Sequence, residues 1–281
     1  MFKKISCFLT VIILFFTFGG CEKNENKLSI TVTILPQKAF VQAVVKDLVS
    51  IEVLVPVGAS PESYEPTQRQ IVRIRSSSLY FKIGVPVENT SLIKAIDNIK
   101  IIDSSEKVRE TYDDREFSLN NRDPHIWLSI KRAIIMVQQI ADEISIIDSA
   151  NSAFYQANAT DYISQLNALQ VEVESCFINK TNKLFMTFHP AYGYLADDFG
   201  LEMFELNEDG KEATIERRID FIDKAKTNNI KVIFSQEEYD SNQDSWVETD
   251  IGATITKLDP LSYYYIDNYK YMAQQISNSM I

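Results

Sequence analysis

Cysteine is scarce in this chain and histidine scarcer, with three of the first and two of the second in 281 residues. Cys7 lies inside an apolar leader and Cys21 at its end, so Cys176 alone remains in the body of the protein. One cysteine cannot close an intramolecular disulfide, so stability must come from packing, and Cys176 is expected to be buried in a helix. Basic clusters are missing as well. Lys and Arg number 28 against 39 Asp and Glu, a formal charge of −11, and removing a leader that carries Lys3 and Lys4 takes it to −13. An acidic chain without a cationic face excludes nucleic acid as a partner and is compatible with cations. Glycine is absent from Val85 through Tyr192, and proline between His125 and His189. That span is free of the usual helix breakers.

What is present begins with the leader. Lys3 and Lys4 precede an apolar run over Ile5–Phe18, and Gly19 and Gly20 lead into Cys21. This is the layout of a secretory signal, too short and too soon polar for a membrane span. Small residues directly before a cysteine are the mark of a lipobox. The expectation is a signal peptide over 1–20, a lipidated Cys21 that anchors the protein at a membrane, and a polar tether over 21–27. That predicts an exported lipoprotein of the periplasm or cell envelope.

From Leu28 onward, short apolar runs alternate with segments of helical period. LSITVTIL (28–35), IEVLVP (51–56), LYFKIG (79–84) and KIIDS (100–104) read as strands, with helices over Gln37–Leu48 and Gln68–Ser76. Ser104–Arg122 reads as a polar loop. SIKRAIIMVQQIADEISIID (129–148) is one helix. In the next, Tyr155, Ala159, Ile163, Leu166, Leu169, Val173 and Phe177 alternate spacings of three and four. A helix of that extent is about 40 Å long at 1.5 Å per residue. The βα pattern then restarts with KLFMTFH (183–189), LEMFELN (201–207), a helix over Ile215–Thr227, KVIFSQ (231–236), a helix near Asp244–Ile251, ATITKLD (253–259) and a terminal helix. The predicted fold is α/β, with two lobes, each a parallel sheet flanked by helices, joined by one long rigid helix. The expected boundaries are 28–149 for the N-terminal lobe, 150–178 for the linking helix and 179–281 for the C-terminal lobe.

Open parallel sheets bind ligands at the C-terminal ends of their strands. That rule selects Glu62 in the turn GASPESYEPT after the second strand, His125 in NRDPHIWLS, His189 at the end of KLFMTFH and Asp259 in KLDPLS. Each half supplies one imidazole and one carboxylate, a set suited to a borderline divalent cation, and two carboxylates neutralise its charge. Taken singly, a lone histidine is more often a surface or satisfied polar residue than a ligand, and a loop acid is usually just solvated; the joint placement of the four is what points to a site.

Five stretches carry a resemblance. VLVPVGASPESYEPT, DPHIWLS, FHPAYGYLADDFGL, DGKEATIERRIDFIDKAK and KLDPLS, in this order after a lipoprotein signal, resemble the zinc/manganese substrate-binding lipoproteins of ABC importers, over nearly all of 28–281. The resemblance implies two α/β lobes joined by a rigid helix and one metal ion held in the cleft. It implies as ligands His125, His189 (a position often Glu in manganese binders) and Asp259. The family's first ligand is a histidine in the turn, and here that position is Glu62. Glu238 is the alternative to Asp259. The histidine-rich loop of many zinc-binding members is missing from 104–122. Carboxylate oxygens are harder ligands than imidazole and suit manganese or iron, yet affinity on N/O sites favours zinc.

The expected function is capture of a divalent ion, zinc ahead of manganese, and its delivery to a membrane permease by a monomeric, non-enzymatic protein. Four protein ligands leave no open position for a reactive water, which argues against the rival reading as a metal-dependent hydrolase. Trp127 and Tyr194 are expected to pack the cleft walls. A sugar-binding adhesin built on the tyrosines of PLSYYYIDNYKYM is the remaining alternative, against packing of one face of the last helix.

Overall fold

The computed structural model describes residues 28–207, 213–236 and 245–280. The leader, Cys21, the tether and Glu238 lie outside them. The first sheet comprises β1 (Ser29–Val32), β2 (Ser50–Val53), β3 (Leu79–Lys82) and β4 (Lys100–Asp103), all parallel, in the order β2-β1-β3-β4. Helices α1 (Leu35–Val45), α2 (Gln68–Arg75) and α3 (Ser91–Lys94) connect its strands. Ile30, Val32, Leu79, Tyr80 and Phe81 are wholly buried, as a sheet covered on both faces requires.

Between the sheets come α4 (Ser104–Arg109), a hairpin of β5 (Glu116–Ser118) and β6 (Asn121–Arg122), and the long helices α5 (Ile130–Ile147) and α6 (Ser152–Phe177). The second sheet holds β7 (Leu184–Thr187), β8 (Glu202–Glu205), β9 (Val232–Gln236) and β10 (Thr254–Leu258), again parallel, in the order β10-β9-β7-β8. Helices α7 (Gly193–Phe199), α8 (Ile215–Thr227) and α9 (Tyr265–Ser279) accompany it. Two parallel sheets flanked by helices, with one long helix beside both, is the architecture expected from the periodicity.

Helix α6 forms because its apolar residues fall on one stripe. Tyr155, Ala159, Leu166, Leu169, Val173 and Phe177 are buried, and Ile163 is half-buried. That stripe packs on α1, α5 and α9. Asn158 Nδ2 donates to Val44 O at the end of α1 (2.8 Å), and Ser277 Oγ of α9 donates to Cys176 O (2.7 Å). The helix is thus keyed to elements from both ends of the chain. No helix among the described residues is long and apolar enough to cross a membrane.

Two expectations need correction, and a third is met with a different winding. Ser104–Arg122 is not all loop: the Asp103 carboxylate accepts the Ser105 N–H (3.0 Å) and starts α4, and Asn120 at φ 63° turns the hairpin. Asparagine tolerates that left-handed conformation, so no glycine signalled it. The helix near Asp244–Ile251 is present over 245–251, winding as a π-helix over Val247–Ile251 that Gly252 ends at φ 75°, and Asp244 lies outside the described residues. Cys176 is helical but only half-buried.

Glu88 is buried in the first half and holds the turn after β3. Its carboxylate accepts from Thr33 Oγ1, from Ile83 N (2.9 Å) and from Gly84 N (2.8 Å). Gly84 sits at φ 92°, where a side chain would be strained. Burial pushes the Glu88 carboxyl up to about 7, outweighing the lowering by those donors. A carboxyl whose folded value exceeds its unfolded value binds a proton on folding between the two. Its contribution to stability therefore falls as pH rises from about 4.5 to about 7, by about 3 kcal/mol. Glu88→Ala should unfold at lower urea at every pH, because three donors lose their acceptor. Its stability should also lose this pH slope, as read by denaturation at pH 5 and pH 8.

Candidate metal centre

The chain leaves β2 into a turn whose direction is set by Gly58 at φ 79°. Pro56 and Pro61 restrict it further. Ser60 Oγ accepts the Glu62 N–H (3.2 Å), and Val87 N donates to Pro61 O (3.0 Å). Beyond the turn, Thr67 and Gln70 form a capping box that opens α2, and Gln70 Nε2 donates to Leu54 O (2.8 Å). The turn is pinned at both ends, with Glu62 half-buried at its centre.

His125 follows Pro124 and opens a 3₁₀ turn over Ile126–Leu128. Its ring is buried, with Nδ1 2.8 Å from Asp123 Oδ1, an oxygen that also accepts the His125 backbone N–H (2.9 Å). A carboxylate accepts only, so Nδ1 carries a proton, and in the neutral ring the lone pair is then on Nε2. Asp123 is fully buried and has Arg115 Nε 3.8 Å from Oδ2. The Tyr194 hydroxyl accepts the Arg115 N–H (2.9 Å) and donates to Asp123 O (3.2 Å). Burial pushes that phenol up to about 12, so it stays protonated and can donate. A Cβ on Gly193 would lie 2.3 Å from Arg115 Nε, so a side chain there would displace the arginine.

His189 stands two residues past the end of β7 and is also buried. Its Nε2 lies 3.1 Å from Glu62 Oε1 and 3.4 Å from His125 Nε2, and His125 Nε2 lies 3.5 Å from the same Oε1. Burial is the main cause that lowers the His189 pKa; the Glu62 hydrogen bond opposes it, and the His125 ring adds to it. The His189 imidazole is thereby suited to bind a cation as a neutral donor. A tetrahedral zinc ion with bonds of about 2.0–2.1 Å needs donors about 3.3 Å apart. The three observed edges, 3.1, 3.4 and 3.5 Å, surround that figure. One ligand atom from each of Glu62, His125 and His189 lies within 4.8 Å of the others, the one such cluster among the described residues.

Asp259 stands outside this cluster. It follows β10, where its Oδ1 accepts the Leu261 N–H (2.8 Å) and its backbone O accepts Asn268 Nδ2 (2.6 Å). It lines a cavity of about 70 Å³ with Ile34, Val55, Val57 and Gly58, behind the Glu62 turn. Its neighbour Pro260 does line the metal pocket, and accepts the Trp127 indole N–H (2.7 Å). Trp127 walls the pocket, 5.2 Å from the His125 ring, while the Tyr265 and Tyr269 hydroxyls donate to Trp127 O and Leu128 O. Tyr265 and Tyr269 are buried, whereas Tyr264 and Tyr271 are exposed, so the tyrosine run packs one face of α9.

Two residues at the site are not singled out by sequence. Asp123 orients His125, and the only signal is its place two residues before the histidine. Gln236, the last residue of β9, lines the pocket and is buried. An uncharged residue at a strand end carries no mark of a site.

Comparison with known proteins places the fold and pocket in context. The family described as zinc-uptake complex component A, periplasmic, matches residues 30–279. The high-affinity zinc uptake system protein ZnuA of Bacillus subtilis (strain 168) is 28% identical over 289 residues, covering 93% of this chain and 90% of its own. The zinc-binding lipoprotein AdcA of Streptococcus pneumoniae serotype 4 is 26% identical over 277 residues. That match covers 92% of this chain but only 55% of AdcA, so the chain spans about half that relative's length. Among solved structures, a crystal structure of ZnuA aligns with a TM-score of 0.84 at 31% identity, over 90% of this chain and 99% of that one. The binding protein FpvC of Pseudomonas aeruginosa, in complex with Mn²⁺, aligns at 0.78 and 25% identity, over 90% and 98%.

Proposed function

The chain belongs to the zinc-uptake complex component A family, a family of metal-transport binding proteins rather than enzymes, and on that premise we propose that it captures zinc between Glu62, His125 and His189 for delivery to a membrane permease of the ABC type. The observation that carries this reading is the triangle of donor atoms, with edges of 3.1–3.5 Å, drawn from the Glu62 turn of the first half and from His189 of the second. Asp259 completes the set by turning from the Leu261 N–H toward the ion, a rotation about its own side chain next to pocket residue Pro260. Cys21 is lipidated after cleavage of 1–20 and tethers the protein through 21–27 outside the cytoplasm, and the lobes fall at 28–149 and 179–281.

Manganese is the second reading, favoured by the carboxylate at position 62 and by the Mn²⁺ complex of the Pseudomonas aeruginosa relative. Metal analysis separates the two. Protein stripped of metal and equilibrated with equimolar zinc and manganese at pH 7.5 should retain one equivalent of zinc by mass spectrometry. One equivalent of manganese would transfer the assignment to that ion, and retention of neither would overturn the site.

A further inference from the structure

Glu88 is a buried carboxylate to which metal capture gives no role. It is 1% exposed, and taking a carboxylate out of water is costly unless hydrogen bonds offset the loss. Its partners lie at the C-terminal edge of the first sheet, the edge where open parallel sheets bind ligands. Thr33, just past β1, donates its hydroxyl to Oε1, which also takes the Ile83 N–H just past β3. Oε2 takes the Gly84 N–H. The Tyr80 and Thr33 hydroxyls lie 3.0 Å apart, and since Thr33 donates to the carboxylate, Tyr80 is the donor of that pair.

Both sides of this network reach the turn that carries Glu62. Thr33 O accepts the Val55 N–H (3.0 Å) at the entrance of that turn. On the other side Val87, next to Glu88 in the chain, donates its N–H to Pro61 O (3.0 Å). That oxygen belongs to the peptide unit joining Pro61 to Glu62, and the N–H of the same unit donates to Ser60 Oγ (3.2 Å). A peptide unit is planar, so the two bonds fix the plane from which the Glu62 side chain starts. We propose that Glu88 is a positioning residue for metal capture: by closing the turn after β3 it holds Val87 N–H against Pro61 O and so aims Glu62 at the ion. Three donors converge on it, and a carboxylate meets them with two accepting oxygens where an amide has one. This inference rests on Glu62 being a ligand of the captured ion.

The test is a double-mutant cycle on the purified protein, with zinc dissociation constants from chelator competition for wild type, Glu88→Gln, Glu62→Ala and the two combined. Glu88→Gln keeps the shape but turns an NH₂ toward one of the two backbone N–H groups. Loss of an outer support at a metal site typically costs about 10–100-fold in affinity, and Glu88→Gln should weaken zinc binding by about tenfold. With Glu62 already replaced by alanine, the same change should cost less than about twofold, because Glu88 acts through Glu62. A general loosening of the fold would instead weaken zinc equally in both backgrounds. Glu88→Asp, one methylene short of the same donors, carries the same comparison if Glu88→Gln fails to fold. An equal loss in both backgrounds, or no loss in either, overturns the positioning role and leaves the capture site standing. Zinc held as tightly by Glu62→Ala as by wild type, or not held by wild type at all, overturns the capture site as drawn and this inference with it.

Discussion

The His125→Ala, His189→Ala double variant should bind zinc roughly four orders of magnitude more weakly than wild type. Protein zinc sites bind with about 10–16 kcal/mol at pH 7, which is on the order of 3 kcal/mol for each of four ligands. At 1.4 kcal/mol per tenfold, each imidazole accounts for about two decades. Glu62 and the proposed ligand Asp259 would remain, two carboxylates without an imidazole. The expected pH dependence has the same origin. Zinc and protons compete for the Nε2 lone pairs, so affinity falls as pH drops through the histidine range near 6.5. The lowered pKa of His189 delays that loss on the acid side. Competition titrations of wild type at pH 7.5 and pH 5.5, and of the double variant at pH 7.5, check both statements. Zinc affinity in the folded double variant within tenfold of wild type would show that the ion sits elsewhere.

Much of this site is readable from the chain because it lies where parallel sheets put ligands. Glu62 and His189 follow β2 and β7 closely, at ends fixed by apolar runs that only a buried strand explains. The long helix is equally legible, since its stripe from Tyr155 to Phe177 keeps helical period over 23 residues, counted inclusively. Legibility fails where a contact depends on tertiary position. Asp259 follows β10 as expected, yet its carboxylate turns back onto Leu261 N, a local bond that no spacing forecasts. Asp123 stands in the stretch NRDPHIWLS with no role read for it, and only the fold shows it buried beneath His125. Gln236 is invisible for a different reason: a neutral amide gains meaning from the register of β9 against β7, and parallel register is set by distant partners rather than by a turn. The 104–122 segment reads as loop because its elements are two to six residues long, too short to show a period.

Asp123 is where positioning and stability meet, and its removal should show both. In Asp123→Ala the His125 ring loses the acceptor that fixes its proton on Nδ1, and the His125 backbone N–H loses the same oxygen. Arg115, 3.8 Å from the other oxygen, loses its buried counter-charge and keeps only Asp197 at 3.4 Å. Breaking one side of a fully buried charged pair costs about 3–5 kcal/mol; Arg115 is part-exposed and keeps Asp197, so the loss is smaller, and the alanine variant should unfold at lower urea than wild type. Its zinc affinity should fall by about 10–100-fold, because an imidazole without its carboxylate partner spends time in the wrong tautomer and orientation. Asp123→Asn separates the two effects. Its amide oxygen can still accept both His125 N–H groups, so zinc affinity should stay close to wild type. Its NH₂, however, faces Arg115 without charge, so much of the stability loss should persist. Chelator competition and urea denaturation on the two variants therefore give different orderings for the two properties. If Asp123→Ala unfolds early yet binds zinc as tightly as wild type, the carboxylate serves the fold alone, and His125 is oriented by Trp127 and Phe117, whose rings lie 5.2 and 6.2 Å from its own.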